Sequence, residues 1–273
     1  MKKAIATCLL LSAFAITAFS QDKKEDKDTR WFKSMYFQWG YNIETYTHSD
    51  IHFKMGNDDR FTLHHARAHD RNNYDDILKK PLEISIPQYN YRIGFYLNHE
   101  HTKAVELNFD HAKYIVSDGQ TVHVTGTIDG VPVDGDSVLN PNRFLHFEHT
   151  DGANWLHINY VRIYHWVPNK AHDRKLLDAV AKIGAGINIP RTDFTWRGQR
   201  LNNDFHVAGY NASVEGGLRF YPFKKIYIET TAKTGYVKYL NALANTIDNK
   251  GNRARQSFGY LEGIATIGFD IGF

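Results

Sequence analysis

Apolar residues recur at every second position over long stretches of this chain, which is the period of a β-strand. At the C-terminal end Leu261, Gly263, Ala265, Ile267, Phe269, Ile271 and Phe273 occupy one phase, and Glu262, Ile264, Thr266, Gly268, Asp270 and Gly272 the other. Seven further segments alternate. Residues 34–46 set Met35, Phe37, Trp39, Tyr41 and Ile43 against Ser34, Gln38, Asn42 and Glu44, and residues 88–98 set Tyr91, Ile93, Phe95 and Leu97 against Arg92, Gly94 and Asn98. Residues 103–116 set Val105, Leu107 and Phe109 against Glu106, Asn108 and Asp110. In residues 155–167, Leu156, Ile158 and Tyr160 begin one phase while Val161 and Ile163 belong to the other, which leaves room for a bulge. Residues 176–189 alternate Leu177, Ala179, Ala181, Ile183, Ala185 and Ile187 with Asp178, Lys182, Gly184 and Asn188. The alanines there invite a helix, but the two glycines and the strict alternation favour a strand. Residues 205–221 (Tyr210, Ala212, Val214, Leu218, Phe220) and 225–236 (Ile226, Ile228, Ala232) complete the set.

The connections sort by length. Residues 99–102, 168–175 and 222–224 are short, whereas 47–87, 117–154, 190–204 and 237–255 are long. Short turns at one end and long loops at the other are the pattern of a transmembrane barrel. The predicted fold is therefore all-β: a transmembrane, antiparallel, up-and-down β-barrel of about eight strands. The less apolar face carries Glu44, Arg92, Glu106, Asp110, Lys182, Glu215, Arg219, Glu229, Lys233 and Glu262. Periodicity alone would also allow a soluble barrel with its charges outside. In a membrane the arrangement inverts, and these ten charges face the lumen. A barrel of this size has room inside for side chains and little else, so charges of both signs read as an ion-paired plug, with a proton or ion path as the alternative.

The two ends of the chain favour the membrane version. Lys2 and Lys3 precede an uncharged apolar run over residues 4–19, and small residues stand at Ala18 and Ser20. This is the pattern of a secretory signal cleaved after Ser20. The run is shorter than the roughly 20 residues of a spanning helix. The expected organisation is a signal peptide at 1–20, a charged flexible arm at 21–31 and the barrel at 32–273. Cleavage takes two lysines from a formal charge of +3 and removes Cys8, the one cysteine, so disulfides cannot hold the mature chain together. Near neutrality argues against a nucleic-acid partner. Trp39, Tyr46, Tyr164, Trp166, Tyr221, Tyr236 and Tyr239 are expected to supply interfacial girdles. The final strand ending on Phe273 resembles the C-terminal signal of bacterial outer-membrane barrels. That resemblance implies an outer-membrane location, lipid as surroundings and the barrel-assembly machinery as a partner.

Candidate chemistry is thin. The first long loop contains Tyr46, Ser49, Asp50, Ile51, His52 and Phe53, and this Tyr-x-x-Ser-Asp-Ile-His-Phe stretch resembles an uncharacterised family of bacterial outer-membrane proteins. The resemblance implies location and adds no mechanism. His48, Asp50 and His52, with His64, His65 and His69, could supply a ligand or metal site, but their spacing matches no metal motif, and polar loop decoration is the plainer reading. Residues 146–154 resemble a segment of the outer-membrane lipid A deacylases, themselves eight-stranded barrels. This makes His149 and Asp151 catalytic candidates, although the matching serine is absent. No Gly-rich phosphate loop, GxSxG or zinc signature is present, so no cofactor or metal is expected. The expected function is an integral outer-membrane barrel displaying large loops in a structural, adhesive or accessory role. A lipid-modifying hydrolase and a narrow channel or transport subunit are the alternatives.

Overall fold

The computed structural model describes residues 30–56, 58–71, 88–169 and 174–272. The expected signal peptide, most of the expected charged arm and Phe273 lie outside the described residues. Seventeen strands and no helix occur among the described residues. The first ten are β1 (Ser34–Tyr46), β2 (Ser49–Met55), β3 (Asp59–Ala66), β4 (Ala68–His69), β5 (Tyr89–Tyr96), β6 (Lys103–Asp110), β7 (Tyr114–Val116), β8 (Thr121–Ile128), β9 (Val131–Val138) and β10 (Leu145–His149). The rest are β11 (Trp155–Asn169), β12 (Arg174–Asn188), β13 (Arg191–Trp196), β14 (Gln199–Phe205), β15 (Gly209–Phe220), β16 (Ile226–Leu243) and β17 (Arg253–Gly272).

Eight of them close into an antiparallel barrel in the order β1, β5, β6, β11, β12, β15, β16, β17, with β17 returning to β1 from Ser34↔Gly272 to Tyr46↔Tyr260. Closure satisfies every strand edge, which a wall surrounded by hydrocarbon requires. Facing follows the two-residue period. Along β1, Ser34, Tyr36, Gln38, Asn42 and Glu44 are buried while Met35, Phe37, Trp39, Tyr41 and Ile43 are more exposed. Val214, Leu261 and Ile183 are 51%, 57% and 60% exposed, whereas Glu106 and Lys233 are fully buried. A barrel that shows its apolar side chains outward and hides its charges is built for a lipid surround.

The register of β11 is unbroken from Trp155 to His165, so there is no bulge at Val161; the irregularities lie around Val167. Val161 and Ile163 continue the inward face and pack with Tyr36, Tyr96, Ala104 and Val180. The inward face of β11 is locally apolar although buried charges flank it on β12, with Lys182 opposite Val161 and Asp178 opposite His165, and the sequence shows this as an apparent change of phase. The segment at 176–189 is strand β12, and Gly186 is needed there: a Cβ would sit 1.8 Å from the Leu156 carbonyl oxygen of β11.

Among the described residues, much of the long connections is strand rather than loop. Strands β2, β3, β8 and β9 continue the barrel sheet beyond the membrane-facing wall, with β2 paired to β17 from Arg253↔Lys54 to Gln256↔Ile51. Strands β14, β13, β10, β7 and β4 form a second sheet. Ile51, Phe53, Phe61, Leu63, Val122 and Val124 of the first share one buried core with Tyr114, Val116, Leu145, Phe147 and Phe194 of the second. Phe53 lies 5.4 Å from Phe147 and 5.6 Å from Phe194, centroid to centroid. The result is a β-sandwich cap. Its core runs on into the barrel mouth through Trp155, Tyr239, Phe258 and Tyr260. Tyr46, Tyr221 and Tyr239 therefore do not belong to a girdle. Tyr221 and Tyr239 are buried, and Tyr46 packs on Tyr114 and Phe258, because inward positions near each end need large apolar fillers.

Candidate functional site

The interior of the barrel is the most heavily built polar region. All ten charges expected in the lumen are buried. Many of their bonds join strands that are not neighbours, so they cross the interior. Arg92 on β5 donates to Glu215 on β15 at 2.7 Å. Lys182 on β12 reaches Glu229 on β16 at 2.8 Å and Glu106 on β6 at 3.2 Å. Arg219 pairs with Glu229 at 2.7 Å and lies over the Tyr227 ring at 4.1 Å. Nearer the cap, Lys233 pairs with Asp110 and lies 3.4 Å from Glu262. Neutral groups complete the network: Tyr36 and Asn159 donate to Glu106 at 2.7 and 3.0 Å, and Asn42 donates to Glu44 and Glu262 at 2.6 and 2.9 Å. Buried charges persist only when paired and hydrogen-bonded, and here the partners span the bore and occupy it.

Above the network an aromatic layer fills the mouth. Tyr114 stacks on Phe258 at 4.4 Å, and Trp155 packs on Tyr260 at 4.5 Å. His149 is embedded in this layer, 4.9 Å from Phe147 and 5.0 Å from Tyr239. It is fully buried, and neither ring nitrogen has a hydrogen-bond partner among the described residues. Burial holds it neutral by pushing its pKa down to about 3. The neighbouring Thr150 hydroxyl donates to Glu148 at 2.7 Å, and Asp151 is held on the surface by Arg191 at 3.0 Å and Asn202 at 2.6 Å. A nucleophile's base needs a hydroxyl on one side and an orienting acid on the other, and His149 has neither. His146 is the histidine that carboxylates grip. Its Nδ1 lies 2.8 Å from Asp118 and its Nε2 3.1 Å from Glu148. Burial would lower its pKa, but the bonds to Glu148 and Asp118 win and raise it to about 9. With both nitrogens committed, His146 serves as a strap across the cap.

The motif of the first long connection ends β1 and forms β2. His48 is exposed between the two strands. Asp50 accepts the His65 backbone N–H at 2.8 Å and lies 3.6 Å from His64, and the His65 bond holds its carboxyl below the usual range despite a small opposing effect of burial. His52 bonds the Thr62 hydroxyl at 2.8 Å, and His69 the Ser117 hydroxyl at 2.8 Å. Asp50, His52 and His69 are each engaged by a neighbouring strand or the residue at its end. Among the described residues, no three His, Cys, Asp or Glu side chains are grouped to hold a metal ion. The pairing of β2 with β17 does gather one set that the sequence could not reveal: Lys54, Arg60, Arg253 and Arg255, which come from three strands and share one face of the cap.

No family model and no curated protein matches the chain. Several solved barrels follow a similar path. Outer membrane protein OprG from Pseudomonas aeruginosa is 10% identical over 89% of this chain and 98% of its own, with a TM-score of 0.42. The outer membrane protease OmpT from Escherichia coli is 7% identical over 91% and 100%, with a TM-score of 0.37. Neisserial surface protein A is 7% identical over 88% and 97%, with a TM-score of 0.35.

Proposed function

We propose that this chain is an integral outer-membrane β-barrel whose bore is sealed and whose role is to present a β-sandwich cap at the cell surface, as a structural or adhesive element. Its wall is apolar where it meets lipid. The signal-like start and the sorted connections support an outer-membrane wall with the cap on its outer side. The observation that carries the reading is double closure: a cross-bore ion network below an aromatic layer. A pore needs a continuous polar path, and a surface enzyme needs its base within reach of substrate. Purified protein in planar bilayers should give no stepwise conductance above the lipid baseline. Reproducible single-channel steps from the folded protein would overturn the sealed-bore reading in favour of a narrow channel.

A further inference from the structure

We infer that the outer face of β17, β2 and β3 binds the phosphorylated saccharide headgroups of glycolipid in the leaflet around the barrel; the inference rests on the outer-membrane reading above. The odd-numbered positions of β17 face outward: Leu261, Ile267, Phe269 and Ile271 are exposed on the apolar wall. Followed toward the cap, the same face continues through Gly259 and Ser257 to Arg255 and Arg253. Pairing extends it sideways. Arg253 stands opposite Lys54, and Lys54 opposite Arg60; in the next row Arg255 stands opposite His52. Ala254, Phe53 and Phe61 are all buried, so these cations share the solvent side.

Residues directly opposite in a sheet have Cβ atoms about 5 Å apart, and like charges at that spacing repel. Three cations in one row therefore call for an anion. The carboxylates on strands β2, β3 and β9 are engaged by other groups. Asp59 accepts the backbone N–H groups of Asp129 and Gly130, Asp50 serves His64 and His65, and Asp134 and Asp136 both face His123. Arg253 is held by Asn245 and by the carbonyls of Lys250 and Asn252, whereas Lys54, Arg60 and Arg255 have no carboxylate partner among the described residues. The Thr62, Thr125 and Thr127 positions continue the two rows across β3 and β8, beside the cations.

Height and continuity select the occupant. From Leu261 to Arg255 the strand climbs six residues, roughly 20 Å along its axis and about 15 Å along the membrane normal at barrel tilt. Counted from Leu261 as the upper edge of the apolar wall of β17, that is above the acyl chains and at the level of a glycolipid's sugars and their phosphates. The face is also the direct continuation of the lipid-facing wall, so such a headgroup meets it without leaving the membrane.

The test uses the full-length mature protein in nanodiscs containing bacterial lipopolysaccharide, the same lipopolysaccharide after phosphatase treatment, or phosphatidylcholine alone, with retained glycolipid read by native mass spectrometry. Retention should be strong with the phosphorylated form and fall about tenfold or more after dephosphorylation. The triple variant Lys54→Glu, Arg60→Glu, Arg255→Glu should lose retention similarly while keeping the heat-modifiable gel migration of the folded barrel. Equal retention of both glycolipid forms, or no loss in a folded triple variant, would overturn the inference. Binding of lipid-free heparin with retention of neither glycolipid would overturn it too, in favour of a soluble polyanion. Should the wild type fail to enter nanodiscs and behave as a soluble protein, the outer-membrane reading itself fails, and that result is distinct from poor glycolipid retention by an inserted barrel.

Discussion

Lys233 shows how much a single side chain carries in this interior. It is fully buried, and its ammonium faces both Asp110 and Glu262. Lys233→Met would leave two carboxylates uncompensated and should cost about 3–5 kcal/mol in urea unfolding from vesicles, with partial recovery when Asp110→Asn is added. His149 should behave in the opposite way. Its ring nitrogens are buried and unsatisfied, so His149→Phe removes a desolvation penalty and should leave the cap's melting temperature unchanged or raised. A large fall in melting temperature with surface display intact would mean that the imidazole holds a partner. His146 gives the cap a pH signature. Its folded pKa of about 9 lies above the unfolded value near 6.5, so its stabilisation is complete below about pH 6.5 and is lost as pH rises through about 9. Hydrogen exchange of β10 amides, corrected for the intrinsic rate, should therefore speed up between pH 7 and pH 9.5 in the wild type and much less in His146→Gln. Alternation alone puts the ten charges on one face of their strands, and all ten are buried. The surroundings of His149 could not be read from the sequence, since they depend on Tyr239 and Phe258 from the far end of the chain.

The strands differ in how visible they are for a physical reason. A wall strand such as β12 or β17 repeats its alternation over 15 or 20 residues, enough to stand out against chance. The cap strands are short, as in β7 with 3 residues and β4 with 2, and they take their order from neighbours rather than from their own pattern. β2 does alternate cleanly, with Ile51, Phe53 and Met55 buried and Asp50, His52 and Lys54 exposed, yet its Asp50 and His52 are also the residue types of a metal site. Facing in the wall is testable on β15. Val214 is exposed and Ser213 buried. Val214→Arg should cost about 2–4 kcal/mol in folding into bilayers if the site lies near the midplane. A neutral Val214→Arg beside a severe Ser213→Arg would mean that the apolar face is the inner one.

For the whole molecule, class and strand number were legible because closure and the membrane impose them on composition. The cap was not, because its two sheets draw strands from connections that lie far apart in the chain, 47–88, 111–154 and 189–208. The intact protein should fractionate with outer membranes and migrate faster on gels before boiling than after; recovery in the soluble periplasmic fraction would remove the basis for the membrane reading. One pairing also imposes an order of events. β2 follows directly on the first wall strand, yet its barrel partner is the stretch from Arg253 to Gln256 at the start of the last. No earlier wall strand offers β2 that edge, so the cap's first sheet joins the wall only when the final strand arrives. The strand that completes the barrel is thus also the one that ties the cap to the wall.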